Sequence, residues 1–213
     1  MFLNQCTGAR ACLTPVHYCV AADSSNSISD QLWARLTRDI RLIATGFSLG
    51  PGVADSKIAL IKYGREVMRE FNFSSTLNES DVLDAISSAQ RLPMRRVGGT
   101  ATPDAILECL QIFKEQSQAN VSRVIMVFTD GVTFYRGQTA EESKQRLLNA
   151  VRMSTEARTV NFGVVFTGNN PEQAQNESLT IAQGAQERAF YGRALRVLEQ
   201  QLFERLSCGR CMQ

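Results

Sequence analysis

Short apolar runs alternate with amphipathic segments along most of this 213-residue sequence, and the alternation restricts the possible folds. The apolar runs predict buried strands, of which Val121 to Thr129 is the strongest. Between them, apolar residues recur every three or four positions, as from Ile28 to Ile43, which predicts helices with one buried face. Strands alternating with helices form a mostly parallel sheet covered on both faces. We therefore expect one α/β domain with a doubly wound, six-stranded sheet.

The link between two predicted strands fixes their relative direction. Tyr63-Gly64-Arg65 is a tight turn, and so short a link joins only an antiparallel pair, which predicts one short antiparallel edge strand. The helix near residue 102 is expected to have Thr102 as N-cap and Pro103 as its first residue. The predicted strands cover residues 17–22, 56–63, 65–71, 121–129, 160–166 and 188–191, and the predicted helices cover 28–43, 81–92, a segment from 102, 140–155, 171–182 and 193–206.

The charge pattern argues against two classes of partner. The chain has 23 basic and 21 acidic residues, giving a formal net charge of +2, and no block of lysine or arginine stands out. Composition therefore gives no case for binding nucleic acid or an anionic membrane. No apolar stretch approaches the roughly 20 residues needed to cross a bilayer, so we expect no direct membrane insertion in this segment.

The cysteines favour an oxidising compartment. Two of the six, Cys19 and Cys109, fall inside apolar runs and are expected to be buried thiols. The remaining four lie near the chain ends, namely Cys6, Cys12, Cys208 and Cys211. Their clustering predicts disulfides that clamp the two ends together, although six cysteines permit 15 pairings and sequence alone leaves the connectivity open. A zinc or redox role for the terminal CxxC is disfavoured, because it follows no predicted strand and His17 is the sole histidine.

Four Asn-x-Ser/Thr triplets agree with an extracellular location, as glycosylation candidates at Asn72, Asn78, Asn120 and Asn176. The first residues lack the apolar core of a signal peptide, so we expect the targeting information of a secreted protein or ectodomain to lie outside this sequence. The predicted organisation is a cysteine-bearing segment at 1–14, the α/β domain at 15–207 and a cysteine tail at 208–213.

Three polar motifs lie beside predicted strands or helices. Asp23-Ser24-Ser25-Asn26-Ser27 follows the first strand, Gly98-Gly99-Thr100 precedes a helix, and Thr129-Asp130-Gly131 ends the strongest strand. In a doubly wound sheet of order 3-2-1-4-5-6, ligands bind beyond the carboxyl ends of strands one and four, where Asp23 and Asp130 would meet. Alone, the first motif could be a helix cap and the others ordinary turns. Their occurrence together, each at the appropriate end of its element, favours one shared site.

The candidate ligands of this site offer only oxygen. They are Asp23, Ser25, Ser27, Thr100 and Asp130. Such a set is typical of a hard cation, Mg²⁺ or Mn²⁺, whereas Ca²⁺ generally takes more oxygens than this set provides. Two carboxylates neutralise a divalent ion, and hydroxyls complete its shell without adding negative charge. The ion would therefore retain enough Lewis acidity to accept one anionic ligand from outside.

These five positions resemble the metal-ion-dependent adhesion site of von Willebrand factor type A domains, a family that includes integrin I domains. The resemblance runs from about Cys12 to Cys208, and all five positions of the motif are present. It implies that Ser25 and Ser27 bind the ion directly and that Asp23 usually acts through water. It also implies that Thr100 and Asp130 exchange direct and water-mediated contact as the domain switches state.

The order of elements also resembles that of A domains of the anthrax-toxin-receptor type. In those domains a cysteine before the first strand pairs with one after the last helix, which implies a Cys12–Cys208 disulfide. The nesting of positions then suggests Cys6 with Cys211. Ligand binding in related domains is coupled to displacement of the final helix, here 193–206. A disulfide from Cys208 to the amino-terminal segment would limit that travel, so we expect a restrained switch or a fixed affinity state.

The leading hypothesis is an extracellular adhesion or matrix-binding module that is not an enzyme. An Asp or Glu of a protein partner would complete the shell of the ion. The loops 131–137 and 166–176 would set specificity, with Tyr135 and Arg136 as candidate contacts or simply solvated loop residues. Two alternatives are a structural matrix protein with a non-functional metal site and a Mg²⁺-dependent hydrolase. A hydrolase would need a general base or nucleophile beside the metal, and the nearby groups look committed to coordination.

Overall fold

The structure is a computed structural model that describes residues 15–53, 55–73, 78–93, 98–165 and 171–191. Every strand and helix predicted within these residues is present, and the predicted helix at 193–206 lies outside them. The elements in chain order are β1 Val16–Asp23, α1 Asp30–Ala44, β2 Lys57–Tyr63, β3 Val67–Phe71, α2 Glu79–Ser88, α3 Thr102–Gln116, β4 Ser122–Thr129, α4 Ala140–Glu156, β5 Val160–Val165, α5 Pro171–Ile181 and β6 Ala189–Tyr191.

The six strands form one sheet in the order β3-β2-β1-β4-β5-β6. All neighbouring pairs are parallel except β2 with β3, which are antiparallel at one edge, as the short link after Tyr63 predicts. The order reverses between β1 and β4, which lie side by side with Ala22 opposite Phe128. The residues that follow these two strands therefore lie next to each other at the carboxyl edge of the sheet.

Helices cover both faces of the sheet, and the central strand β1 is buried along its whole length. Its side chains alternate: Tyr18 and Val20 pack in the layer of α1 and α2, whereas Ala21 packs in the layer of α3 and α4. In the first layer, the indole Nε1 of Trp33 donates a hydrogen bond to the carbonyl of Ala89, 2.8 Å away, and so links α1 to the end of α2. These contacts confirm the predicted two-sided α/β architecture.

The start of α3 differs from its prediction. The N-cap of α3 is Ala101, with no side-chain cap hydrogen bond, and Thr102 already lies inside the helix. The chain enters α3 directly from a β-bridge at Thr100, and the Ala101 N–H donates to the carbonyl of Gly64, so tertiary backbone contacts lead into the helix in place of a capping turn at Thr102. The prediction that Thr102 caps this helix is therefore wrong.

The two internal cysteines form a disulfide, so the prediction of free buried thiols is wrong. Cys19 points from the middle of β1 toward α3, and Cys109 lies on the buried face of that helix. Their Cα atoms are 5.6 Å apart, within the range that a disulfide spans. The four terminal cysteines, Cys6, Cys12, Cys208 and Cys211, lie outside the described residues, and their pairing stays a prediction, as does the division at 14/15 and 207/208.

His17 lies at the amino end of β1, at the opposite edge of the sheet from Asp23. Its Nδ1 is 2.9 Å from the hydroxyl of Ser117, and its ring centroid is 5.0 Å from that of Phe73. Burial, followed by the nearby charges of Lys57 and Arg123, lowers its pKa to about 4. The residue is a packed, neutral histidine, as expected from its position in a buried strand. Within the described part of the chain, no helix is both long and apolar enough to cross a membrane.

Candidate metal centre

The first motif forms the loop between β1 and α1. The backbone N–H of Ser24 donates to the carbonyl of Tyr63 at 2.6 Å, and the Ser24 hydroxyl accepts from the N–H of Leu92 at 2.8 Å. Helix α1 has its own cap, because the hydroxyl of Ser29 accepts from the N–H of Leu32. The interpretation of Asp23 to Ser27 as a helix cap is therefore wrong, and these side chains are available for another role.

Four of the five predicted ligands form one hydrogen-bonded cluster. The hydroxyls of Ser25 and Ser27 are 3.0 Å apart, and Ser27 donates to Oδ1 of Asp130 at 2.9 Å across 103 positions of sequence. Asp23 belongs to the same cluster, since its Oδ1 accepts from the backbone N–H of Ser25 at 2.8 Å. The first and third motifs thus meet at the switch point of the sheet.

The carboxylate of Asp23 is the most deeply buried group of this cluster. The residue is 0% exposed, and its Oδ2 accepts a hydrogen bond of 2.7 Å from the hydroxyl of Thr129. Burial raises the pKa of Asp23 to about 6; the hydrogen bonds from Thr129 and Ser25 oppose this rise, and the negative charge of Asp130 adds to it. Two fixed donors orient the group, but no cation among the described residues pairs with it.

Asp130 is the more accessible of the two carboxylates. Partial burial raises its pKa, and the hydrogen bond from Ser27 opposes the rise. Both carboxylates are thus held in surroundings that disfavour their charge, and a bound cation would reverse that penalty. No group of three or more His, Cys, Asp or Glu side chains suited to a metal occurs in the described residues, and this candidate site offers two carboxylates, those of Asp23 and Asp130.

The fifth predicted ligand, Thr100, lies beside the cluster through backbone contacts. Its N–H donates to the carbonyl of Phe134 at 2.9 Å, and the N–H of Phe134 donates back to Thr100 at 3.1 Å. A side chain at Gly99 would come within 3.2 Å of that same Phe134 carbonyl, so a glycine allows the close approach of the two loops. The Thr100 side chain does not belong to the hydrogen-bonded cluster formed by the other four among the described residues.

The spacing of the cluster oxygens fits a small hard cation. Mg²⁺ takes octahedral oxygen ligands at about 2.0–2.1 Å, which places neighbouring ligands about 2.9 Å apart. The Ser25–Ser27 and Ser27–Asp130 oxygen pairs lie 3.0 and 2.9 Å apart. Ca²⁺, with bonds of about 2.3–2.6 Å, would need these oxygens to separate further. The donor set could therefore accept Mg²⁺ with little rearrangement of its serines.

The loop after Asp130 exposes two apolar side chains besides the two residues expected to contact a partner. The ring of Tyr135 is half-buried, with the guanidinium of Arg146 stacked 4.0 Å from its centroid, and Arg136 is exposed. In the same loop, Val132 is 41% exposed and Phe134 is 54% exposed. Sequence reasoning passed over these two residues, because an apolar residue in a loop gives no signal of its exposure.

The four candidate glycosylation sites differ in accessibility. Asn120 is exposed in the turn before β4, and Asn72 is partly buried. Asn78 is the exposed N-cap of α2, and its side chain accepts from the N–H of Asp81. Asn176 is exposed on α5, whereas the hydroxyl of Ser178 in the same triplet is buried and donates to the carbonyl of Gly163. Glycosylation at these sites stays a prediction.

Two further residues support the site without belonging to the predicted ligand set. Thr129 was part of a recognised motif, and its hydroxyl positions Asp23. Glu177 lies on α5, and its Oε1 accepts hydrogen bonds from the backbone N–H and the hydroxyl of Thr133 in the loop after Asp130. The sequence around Glu177 reads as an ordinary amphipathic helix, so no local pattern signals this contact.

Comparison with curated proteins finds relatives among integrins and matrilins. Integrin alpha-11 of Mus musculus is 24% identical over 189 residues, which cover 84% of this chain and 14% of the integrin. Matrilin-2 of Mus musculus is 33% identical over 115 residues, which cover 51% of this chain and 11% of the matrilin. The chain thus spans only a small part of the length of these relatives.

Comparison with solved structures supports the fold. Proximal thread matrix protein 1 from the mussel byssus superposes with a TM-score of 0.73 at 16% identity, covering 92% of this chain and 47% of that chain. Another structure of the same protein has a zinc-occupied MIDAS motif. Manganese-loaded TRAP protein of Plasmodium vivax superposes with a TM-score of 0.69 at 13% identity, covering 90% of this chain and 73% of that chain.

Comparison with sequence profiles of protein families agrees with the fold and with the clustered motifs. The profile of the von Willebrand factor type A domain matches residues 19–205, which include most of β1, the three motifs and every later element described. This chain belongs to the von Willebrand factor type A domain family.

Proposed function

We propose that this chain is an extracellular adhesion or matrix-binding module. It would bind a divalent cation that coordinates an acidic residue of a protein partner. Mg²⁺ or Mn²⁺ would be held by Asp23, Ser25, Ser27, Thr100 and Asp130. The ion supplies a Lewis-acidic position for a carboxylate when it is bound. The chain's own residues orient the oxygens, limit the number of negative ligands and present the surrounding surface.

The hydrogen bond from Ser27 to Asp130 is the observation that carries the proposal. It joins two motifs from opposite sides of the switch point and sets two oxygens at a separation suited to neighbouring ligands of Mg²⁺. The membership of this chain in the type A family, with integrin and matrilin relatives, supports the same function. The manganese and zinc in two neighbouring structures are reasons to test both ions here.

The surface beside Asp130 suits a partner that presents an apolar side chain next to its acid. Among the described residues, nothing lies within 4 Å of the position that a side-chain carbon would take at Gly98 or Gly131, so these glycines leave space beside the cluster. Val132 and Phe134 lie in the same loop as Gly131 and are exposed. Exposed apolar side chains of this kind contribute to protein interfaces when a partner buries them. We include them with Tyr135 and Arg136 as candidate partner contacts.

Cation binding is tested by calorimetry with MgCl₂, MnCl₂ and ZnCl₂. We expect saturable binding by the wild type and a large loss in Ser27→Ala and Asp130→Asn, because each change removes a ligand from the accessible side of the cluster. Asp84→Asn, on the exposed surface of α2, removes the same charge as Asp130→Asn and should bind like the wild type. Absence of saturable heat with all three ions would leave a structural matrix role with an inert site.

Partner binding is tested by retention from an extracellular-matrix extract in Mg²⁺ and in EDTA. The proposal expects partners that are retained by the wild type and Asp84→Asn in Mg²⁺ and are lost in EDTA or with Asp23→Ala. Undiminished retention by a folded Asp23→Ala variant would remove the adhesion proposal. A screen against phosphate esters tests the hydrolase alternative, for which Mg²⁺-dependent turnover abolished in Asp130→Asn would be required.

A further inference from the structure

A third carboxylate lies behind the candidate metal centre. Glu177 is only 7% exposed, and it projects from α5 toward the loop that follows Asp130. One of its oxygens, Oε1, accepts from the backbone N–H of Thr133 at 2.8 Å and from the Thr133 hydroxyl at 2.5 Å, across 44 positions of sequence. Glu177 therefore fixes the far end of the short segment that begins with Asp130.

The negative charge of Glu177 has no matching positive charge among the described residues. Burial raises its pKa to about 7, the hydrogen bonds from Thr133 oppose the rise, and the charge of Asp23 adds to it. Glu177 and Asp23 are thus close enough to influence each other. Burial raises the pKa of Tyr63 at the end of β2, and the charges of both Asp23 and Glu177 add to that rise. Burying a carboxylate without a cation is costly, and a hydroxyl and an N–H offset only part of that cost.

We propose that Glu177 is a positioning and electrostatic residue of the cation site: it anchors the Asp130 loop through Thr133 and adds a third negative charge, itself buried, that a bound ion compensates. This inference rests on the cation site proposed above. Because its Oε1 is engaged by Thr133, Glu177 acts from behind the loop rather than as a ligand. The negative charge of Glu177 would raise the affinity of the site for the ion. Because only two carboxylates would be near the ion, its free coordination position could still bind the carboxylate of a partner.

The alternative is a purely structural role, in which Glu177 only satisfies the N–H and hydroxyl of Thr133. The two roles predict opposite effects on the metal-free protein. A structural residue stabilises the fold, so its replacement lowers stability. A buried charge without a cation destabilises the metal-free fold, so its removal leaves stability at pH 8 unchanged or raises it, and only the affinity for the ion falls.

Glu177→Gln separates these roles because the amide keeps an oxygen acceptor for Thr133 and loses the charge. At pH 8 we expect its Mg²⁺ and Mn²⁺ affinities, measured by calorimetry, to be roughly tenfold weaker than those of the wild type, and its melting temperature in EDTA to be equal or higher. Glu177→Asp retains the charge and should lose clearly less affinity than Glu177→Gln. The matched control is Glu172→Gln, an equal charge change at an exposed position on the same helix, which should bind like the wild type.

Three results would overturn the inference. They are equal affinity of Glu177→Gln and the wild type, equal losses in Glu177→Gln and Glu177→Asp, or a melting temperature of Glu177→Gln in EDTA well below that of the wild type. A Glu177→Gln variant that does not fold counts as the third of these results, because the carboxylate would then be needed for the fold itself. Failure of the wild type to bind Mg²⁺, Mn²⁺ or Zn²⁺ would instead remove the cation site itself.

Discussion

Cys19 of β1 is bonded to Cys109 of α3, so the strand that ends at Asp23 is tied to the helix that begins just after Thr100. Both cysteines are fully buried between the sheet and the helix. The bond ties together the elements that carry two of the three motifs of the candidate metal site. Asp130 follows β4, outside the loop that the disulfide closes, so movement of its segment is not directly limited by this bond.

Replacing both cysteines, as Cys19→Ala with Cys109→Ala, should lower the free energy of unfolding by about 4 kcal/mol. The disulfide closes a loop with a sequence separation of 90, and the chain-entropy account gives a gain of this size for such loops. Guanidinium unfolding of the wild type and the double variant measures the difference. Alkylation of both residues in unfolded, unreduced wild type would show that the bond is not formed and would contradict the prediction.

Thr129→Val should destabilise the chain by about 1–3 kcal/mol and weaken cation binding. The valine keeps the shape of the side chain but removes the hydroxyl that donates to Asp23, which leaves a buried acceptor unsatisfied. Urea unfolding and a Mg²⁺ titration measure the two effects. Thr155→Val, on the exposed face of α4, is the control and should change stability by less than about 0.5 kcal/mol. Equal unfolding midpoints for the two variants would contradict the role given to Thr129.

Gly163→Ala should lower the melting temperature because β5 and α5 pack with no space for a methyl group. A side-chain carbon at Gly163 would lie within 3.1 Å of three backbone atoms of Ser178, so α5 would have to shift. Overpacking of this kind costs about 1–3 kcal/mol. Gly98→Ala introduces the same methyl group where no described residue lies within 4 Å, and it is the matched control. A melting temperature equal to that of Gly98→Ala would show that the contact can relax.

The strand order and the meeting of Asp23 with Asp130 were predictable, because both follow from strand–helix alternation and from rules for parallel sheets. These rules concern the path of the backbone, and they are applied to strands and helices that short stretches of sequence predict. They place the motifs at one edge of the sheet without specifying any side-chain contact.

The Cys19–Cys109 bond and the Glu177–Thr133 contact were not predictable from the same patterns. Each depends on how a helix is rotated and shifted on the sheet, and this is set by packing across the whole layer rather than by local sequence. The error at Thr102 has a related cause, because the tertiary bridge at Thr100 replaced the local capping turn. Residues that support the site from behind, such as Glu177, could therefore be identified only from the structure.

The contribution of Glu177 to the stability of the metal-free protein should fall as pH rises from about 4.5 to 7. Its pKa is raised from 4.5 to about 7 in the folded chain, so its ionisation opposes folding: the penalty is absent below about pH 4.5 and complete above about pH 7. A shift of this size corresponds to about 3 kcal/mol. Unfolding in EDTA at pH 5 and pH 8 should therefore show that Glu177→Gln gains stability relative to the wild type at pH 8 and much less at pH 5. A difference between the two proteins that does not change with pH would show that Glu177 carries no ionisation penalty in the folded chain.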